Sequence, residues 1–214
     1  MKIGIIGATG KAGQEIYREA VRRGEEPVAL VRSADRAREI LGKDVNVVEK
    51  DAFELTAEDI ASYDAVVNAF ATSPDQAHLH TDLSRQLKEA AGEETPRLVF
   101  ILGAGSLANP ATGEPFIKVL REIPDAAAWI NVPEEQFKQL DYLRTVGTVN
   151  WVGISPQATF PAEGPATTPK LGKDELLTAS DGESHTTAGT MAVAILDELQ
   201  NPAHRNTRFT VSDA

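Results

Sequence analysis

Lys2-Ile3-Gly4-Ile5-Ile6-Gly7-Ala8-Thr9-Gly10-Lys11-Ala12-Gly13 reads as a short apolar strand, a glycine-rich turn and the start of a helix. Each glycine of the turn has its own reason to be there. Gly7 can take backbone angles closed to residues with a Cβ, Gly10 lets the main chain come close to a pyrophosphate, and Gly13 lets the new helix pack tightly on its strand. The unpaired N–H groups of the helix start then face the phosphates, with the positive end of the helix dipole behind them. The spacing is G-x-x-G-x-x-G, not the tighter G-x-G-x-x-G, so the context has to carry the reading. An amphipathic segment with Ile16, Tyr17, Ala20 and Val21 follows, and a second apolar run, Val28 to Val31, completes a βαβ unit. The expectation is a nucleotide cofactor held by this loop.

Working outward, apolar runs recur at Ile3–Ile6, Val28–Val31, Val45–Val48, Ala65–Val67, Leu98–Leu102 and Val149–Ile154, with a last short one at Arg208–Val211. Helical patterns fall between them near 11–23, 34–41, 56–61, 76–91, 133–146 and 186–199, and Pro133 suits a first helical turn. This alternation predicts an α/β fold: a Rossmann-like, doubly wound, mainly parallel sheet in one domain spanning 1–214. Two stretches with Pro and Gly, 103–128 and 157–181, follow the carboxyl ends of predicted strands and read as irregular. Ligands bind at that edge of an open α/β sheet, so these loops of the C-terminal part are expected on the substrate side of the cleft.

Composition narrows the function. The chain of 214 residues contains no cysteine, which excludes disulfides and thiol catalysis and leaves a metal only four histidines and the carboxylates. A formal net charge of -11 argues against a nucleic-acid partner, which requires a basic face. There is no basic leader and no apolar run of membrane-spanning length, so a cytoplasmic protein with no membrane partner is expected, as a monomer or homodimer. The acidity does not exclude a dinucleotide, because Lys11, Arg32, Arg36 and Arg38 fall where one would bind.

An NAD-binding chain usually carries Asp or Glu at the end of the second strand, to accept from the ribose hydroxyls. Here Val31-Arg32-Ser33 stands there, while Glu25 and Glu26 lie at the strand's other end. Arg32 is either a solvated loop charge or a fork for a 2′-phosphate, and the second reading favours NADPH over NADH as the cofactor. Asp51-Ala52 follows the third strand, where Asp51 either accepts from the adenine amino group or caps a turn before Phe53. After the fourth strand, Asn68-Ala69-Phe70-Ala71 places small residues where the backbone passes the adenosine ribose.

The catalytic apparatus of ordinary short-chain dehydrogenases is missing. The three tyrosines, Tyr17, Tyr63 and Tyr142, are followed at the Tyr-x-x-x-Lys spacing by Val21, Val67 and Val146. Hydride transfer to a flat, electron-deficient acceptor needs less of the protein, because stacking on a nicotinamide suffices and solvent can deliver the proton. Ser106, just past the fifth strand, is either the side chain that orients the acceptor or a turn serine. His78 and His80 share a strand face but diverge on a helix, which this segment resembles more. With Asp75 and Asp82 nearby a metal site can be drawn on weak spacing, but none is expected, and the pair reads as a partly exposed helix flank near the cofactor mouth. His185 reads as a capping-region residue, His204 as structural, and Trp129 and Trp151 as core or cleft wall.

Gly7–Gly13, Val31-Arg32, Lys50-Asp51-Ala52, Gly103-Ala104-Gly105-Ser106-Leu107, Trp151-Val152-Gly153-Ile154-Ser155-Pro156 and the ending Ala192–Val211 occur in this order. Over nearly its whole length the chain resembles the NAD(P)H-binding, NADH-flavin-reductase-like branch of the atypical short-chain dehydrogenases, related to the biliverdin-IXβ-reductase and NmrA-like groups. The resemblance implies that Thr9, Gly10, Lys11 and Ala12 contact the pyrophosphate, Arg32 the 2′-phosphate, Asp51 and Ala52 the adenine, and Ala69 and Phe70 the ribose. It also implies that Gly103, Ala104 and Pro156 border the nicotinamide. Leu102 stands where many relatives have the first glycine of a Gly-Gly-Ala-Gly-Ser run. Thr190-Met191 replaces a frequent Asp-Tyr or Asp-Phe pair, which puts in question the bond that Asp would make to the C-terminal loops. The expected function is an NADP(H)-dependent oxidoreductase acting on a small flat acceptor such as a flavin or quinone. The alternative is a non-catalytic, NADP-binding redox sensor of the NmrA-like type, with its acceptor pocket filled by the 103–128 segment.

Overall fold

Apolar residues in the first strand alternate between two helical layers, and the sheet grows from that strand in both directions. The computed structural model describes residues 1–214. In chain order it contains β1 (Lys2–Ile6), α1 (Lys11–Arg22), β2 (Glu26–Val31), α2 (Ala34–Leu41), β3 (Val47–Glu49), α3 (Ala57–Ile60), β4 (Ala65–Asn68) and α4 (Leu79–Ala90). There follow β5 (Arg97–Ile101), α5 (Ile117–Glu122), α6 (Asn131–Arg144), β6 (Trp151–Ser155), β7 (Lys170–Gly172), α7 (Ala188–Gln200) and β8 (Thr207–Ser212). One sheet takes the order β3-β2-β1-β4-β5-β6-β8-β7, and every pairing is parallel except that of β7 with β8. This is the expected doubly wound Rossmann-like architecture, with its topological switch between β1 and β4. No helix is long and apolar enough to cross a membrane.

Neighbouring residues of one strand serve opposite cores, as the period of two requires. Ile5, Val67, Val99 and Val152 bury against α1 and α7 through Ile16, Ala20, Met191 and Ile195. Ile6, Val66, Leu98 and Trp151 bury against α4 and α6 through Leu83, Leu87, Leu140 and Leu143. Trp151 is fully buried and donates its indole N–H to the Val146 carbonyl at 2.9 Å, which makes it a core residue.

The C-terminal loops are tied down by polar bonds, as their composition demands. Asp213 accepts from the Thr187 N–H at 2.9 Å and from its hydroxyl at 3.0 Å, while Thr190 Oγ1 accepts from the Thr167 N–H at 2.9 Å. The bond in question at Thr190 is therefore made by its hydroxyl, with the carboxylate supplied from the chain end. His185 bridges Asp213 through Nδ1 at 2.6 Å and Asp181 through Nε2 at 2.9 Å, and these carboxylates raise its pKa. Leu102 is tolerated because Gly153 faces it: a Cβ on Gly153 would lie 2.5 Å from Leu102 Cδ1.

Two elements were not foreseen. β7 is three residues long at the sheet edge, and Leu171 is exposed, so no alternation marks it. α5 lies in the stretch that reads as irregular, because a six-residue helix burying only Ile117 leaves too short a stripe to recognise. Boundaries also moved: β3 starts at Val47, α4 at Leu79 after a single 3-10 turn, and α6 at Asn131, with Pro133 still in the first turn.

The tightest packing is at the first turn. A Cβ on Gly13 would stand 2.1 Å from the Gly7 carbonyl oxygen and 2.7 Å from the Ala8 Cα, both backbone atoms that have nowhere to go. Gly13→Ala is expected to lower the unfolding free energy by about 2–3 kcal/mol, the upper part of the overpacking range, as measured by denaturant titration. A change within about 0.5 kcal/mol, the usual size for an inconsequential surface substitution, would contradict the packing described.

Candidate functional site

The switch between β1 and β4 opens a crevice at the carboxyl ends of the strands, and Gly7 sits at its floor with φ +73°. A Cβ there would come within 2.5 Å of the Ala69 carbonyl oxygen, so the turns after β1 and β4 touch through their main chains. Gly10 differs. Its backbone is extended, at φ -84° and ψ 174°, and a Cβ would meet only the Gly7 oxygen, at 3.2 Å. The space beside Gly10 belongs to two adjoining cavities.

The first cavity, about 570 Å³, is lined by Gly7, Thr9, Gly10, Val31, Arg32, Lys50, Asp51, Ala52, Phe53 and Ala69 to Ser73. The second, about 640 Å³, is lined by Gly10, Lys11, Ala12, Ala69 to Thr72, His80, Leu102 to Gly105, Leu120, Ile123, Trp129, Gln136 and Pro156 to Ala158, among others. They share Gly10, Ala69, Phe70, Ala71 and Thr72 and thus form one cleft across the glycine turn. The expected adenosine-side residues Arg32, Asp51, Ala52, Ala69 and Phe70 are together in the first part. The expected nicotinamide-side residues Gly103, Ala104 and Pro156 are together in the second. Thr9, Gly10, Lys11 and Ala12 lie at the junction, and Gly13 packs beneath it.

The junction suits an anion. α1 begins with no side chain capping it, as α4, α5 and α6 do, and it alone opens on the glycine turn between the two cavities. Its free N–H groups and dipole are left for a ligand. Lys11 reaches over the cleft, its ammonium hydrogen-bonded to the Phe160 carbonyl and 4.2 Å from that ring's centroid. Burial lowers its pKa, which is the direction an anion beside it would reverse.

Arg32 is exposed and makes no ion pair, although the neighbouring Arg38 is bonded to Asp35. The end of β3 adds a residue that the sequence did not reveal. Glu49 pairs in register with Val31, and its carboxylate accepts from the Ala34 N–H at 2.7 Å, covering the start of α2. Asp51 does cap a turn, accepting from the Phe53 N–H at 2.9 Å. It also lines the cavity, so its two readings are compatible.

Ser106 lies outside both cavities. Its Oγ accepts from Arg208 Nη1 at 3.1 Å, and the same nitrogen donates to Ser155 Oγ at 2.9 Å, which in turn donates to the Gly103 carbonyl. Arg208 is buried and also pairs with Asp174. Ser106 thus helps fix the loop after β5.

His80 also departs from expectation. The two histidines diverge, but His80 is only 3% exposed, in place of a partly exposed helix flank. Its ring lines the second cavity and packs edge-on against Phe70 with centroids 5.4 Å apart, and burial pushes its pKa down to about 4. Its Nε2 has no hydrogen-bond partner. The sequence signal was present in the Leu79, Leu83 and Leu87 stripe of α4, whose buried side extends to His80. None of the three tyrosines lines either cavity.

A family model described as NAD(P)H-binding matches residues 7–202. The Bacillus subtilis protein YwnB, itself uncharacterised, is 41% identical over 213 residues, covering 99% of this chain and 98% of its own. Among solved structures, a Lactobacillus casei protein matches with a TM-score of 0.92 at 41% identity, over 100% of both chains. A Streptococcus pneumoniae protein provisionally described as an NADH-flavin reductase matches with a TM-score of 0.89 at 30% identity, again over 100% of both chains.

Gly10→Val provides a test of the junction, because the extended backbone suits valine if the Gly7 carbonyl gives by a few tenths of an ångström, and the side chain stands beside the cleft. The variant is expected to melt within a few degrees of the unmodified protein and to bind reduced nicotinamide dinucleotide at least about a hundredfold more weakly, a loss of about 2.7 kcal/mol. Normal calorimetric titration of the folded variant would show that the glycine turn is structural only.

Proposed function

The chain belongs to this NAD(P)H-binding family, and on that premise we propose that it is an NADP(H)-dependent reductase whose acceptor is a small, flat, conjugated molecule such as a flavin or quinone. The observation that carries the proposal is the second cavity. It is open, continuous with the first across the glycine turn, largely apolar, and free of acidic side chains, with Lys11 its one ionised residue at neutral pH. The nicotinamide, when bound, supplies reducing equivalents as hydride; the chain's task is to hold cofactor and acceptor face to face.

In this reading Thr9 to Ala12 hold the pyrophosphate, and Arg32 the 2′-phosphate. Asp51 and Ala52 meet the adenine, Ala69 and Phe70 the ribose, and Gly103, Ala104 and Pro156 the nicotinamide. Leu120, Ile123 and Trp129 form the outer acceptor wall, and apolar walls favour a flat ring system by removing its faces from water. The three tyrosines lie off the cavity, in keeping with an acceptor that needs no phenolic acid. A redox-reporting regulator would instead have this space filled by the 103–128 segment, and the open cavity favours turnover.

Cofactor preference follows from Arg32. NADPH should bind about ten- to a hundredfold more tightly than NADH, and Arg32→Ala should remove most of the difference while leaving NADH affinity unchanged. Equal affinities in the unmodified protein, measured by calorimetry, would contradict the assignment.

The purified protein should oxidise NADPH when given free flavin or a quinone, followed by loss of nicotinamide absorbance. Tyr142→Phe and His185→Gln should retain activity within about threefold, whereas a dedicated general acid would cost roughly a hundred- to ten-thousandfold. A loss of that size in either variant would point to carbonyl chemistry. Inactivity toward a panel of flavins, quinones and aldehydes, with tight NADPH binding retained, would point to the regulator.

A further inference from the structure

The second cavity has an apolar outer wall and a main-chain floor, and its inner wall contains a side chain with unused polar capacity. His80 stands at the start of α4, 3% exposed, with Phe70 against one side; its Nε2 is unpaired and closed off from the cavity, so Nδ1, which also has no hydrogen-bond partner, is the nitrogen a ligand there would meet. A buried imidazole without a partner is costly, and such a group is retained where a ligand or a compensating interaction uses it. The surrounding bonds hold it in place without satisfying the ring. Ser84 Oγ donates to the His80 carbonyl at 3.0 Å and accepts from Gln139 Nε2 at 2.8 Å, fastening this turn of α4 to α6. The other polar groups nearby are committed or differently placed. Gln157 is saturated, donating to Thr210 and Val211 and accepting from the Leu177 N–H. Gln136 lies against Gly103, where a Cβ would stand 2.5 Å from its Oε1.

We infer that His80 is the acceptor-binding residue of this site, its Nδ1–H donating to a carbonyl oxygen at the edge of a flat quinone-type or flavin-type ring. The inference rests on the reductase reading above and deepens it by naming the feature recognised. At neutral pH the ring is uncharged, so it offers one N–H and no ionic attraction. Such a donor discriminates for a carbonyl over a ring edge that lacks one. Its bond also strengthens as the oxygen gains negative charge on reduction, which places the benefit in the transition state. The absence of carboxylates from the cavity removes competing acceptors for the same N–H.

The test compares the unmodified protein with His80→Phe, which keeps a ring against Phe70, and with His80→Gln, which keeps an N–H donor. Two acceptors are used: 1,4-naphthoquinone, which has carbonyl oxygens, and a phenothiazinium dye, which is reduced by NADPH but has none. His80→Phe is expected to lower kcat/KM for the quinone about tenfold or more and leave that for the dye within about twofold, while His80→Gln recovers most of the quinone activity. Equal losses for both acceptors, or no loss for either, would overturn the inference and leave His80 a packing residue. A second measurement does not depend on turnover: binding of 1,4-naphthoquinone to the NADP⁺-saturated protein, read by quenching of tryptophan fluorescence. Binding that weakens about tenfold in His80→Phe supports the inference even if neither acceptor is turned over, a result that would sink the reductase reading alone. No quinone binding, or binding unchanged in His80→Phe, overturns the inference. Should His80→Phe fail to fold, the same comparisons are made with His80→Gln and His80→Ala. Retention by Gln with loss by Ala supports the role, and equal behaviour of the two overturns it.

Discussion

Between the Gly7 carbonyl and the start of α1 there is no room for a side chain, and that closeness sets the geometry of the whole cleft. Because Gly13 has no Cβ, α1 can begin directly over the end of β1. Because Gly7 takes φ +73° and lies against the Ala69 carbonyl, the turns after β1 and β4 meet main chain to main chain. The uncapped start of α1 is thereby placed at the topological switch of the sheet, where an open α/β fold binds its ligand. The two cavities meet at this point, and Gly10 faces both.

The second cavity depends on a different constraint, since its apolar wall is carried by loops that polar bonds must hold in place. Arg208 on β8 compensates by bonding Asp174, Ser106 and Ser155, so one buried guanidinium joins the loop after β5, the end of β6 and the segment after β7. Removing any one partner would leave a buried charge less well satisfied, which is why such a network holds loops in a single arrangement. Asp213 does the same for the loop entering α7. Lys11, joined to Phe160 across the mouth, ties the glycine turn to the loop after β6 through a charged side chain.

The parts legible in the sequence were those with a repeating or steric signature. Strand periodicity, helix stripes and the glycine spacing placed the sheet, its layers and the phosphate turn, because each reflects a local rule applied over several residues. The surroundings of the second cavity were less legible. Ser106 looked available because nothing near it in sequence announces Arg208, which lies on a strand about a hundred residues away. His80 looked partly exposed because the burial of a helix flank depends on what packs against it, here Phe70. α5 and β7 were too short to carry a period, and Glu49 acquired its place only through the register of β3 on β2.

In the function proposed above, one cleft holds the dinucleotide across the glycine turn and leaves the nicotinamide open to a second, acceptor-sized space. A crystal structure with bound NADP⁺ measures this directly. It should show the pyrophosphate at the start of α1, the 2′-phosphate on Arg32, and the nicotinamide beside Gly103 and Pro156 with one face open toward His80 and Trp129. A nicotinamide covered by the 103–128 segment, or a dinucleotide bound outside this cleft, would contradict it.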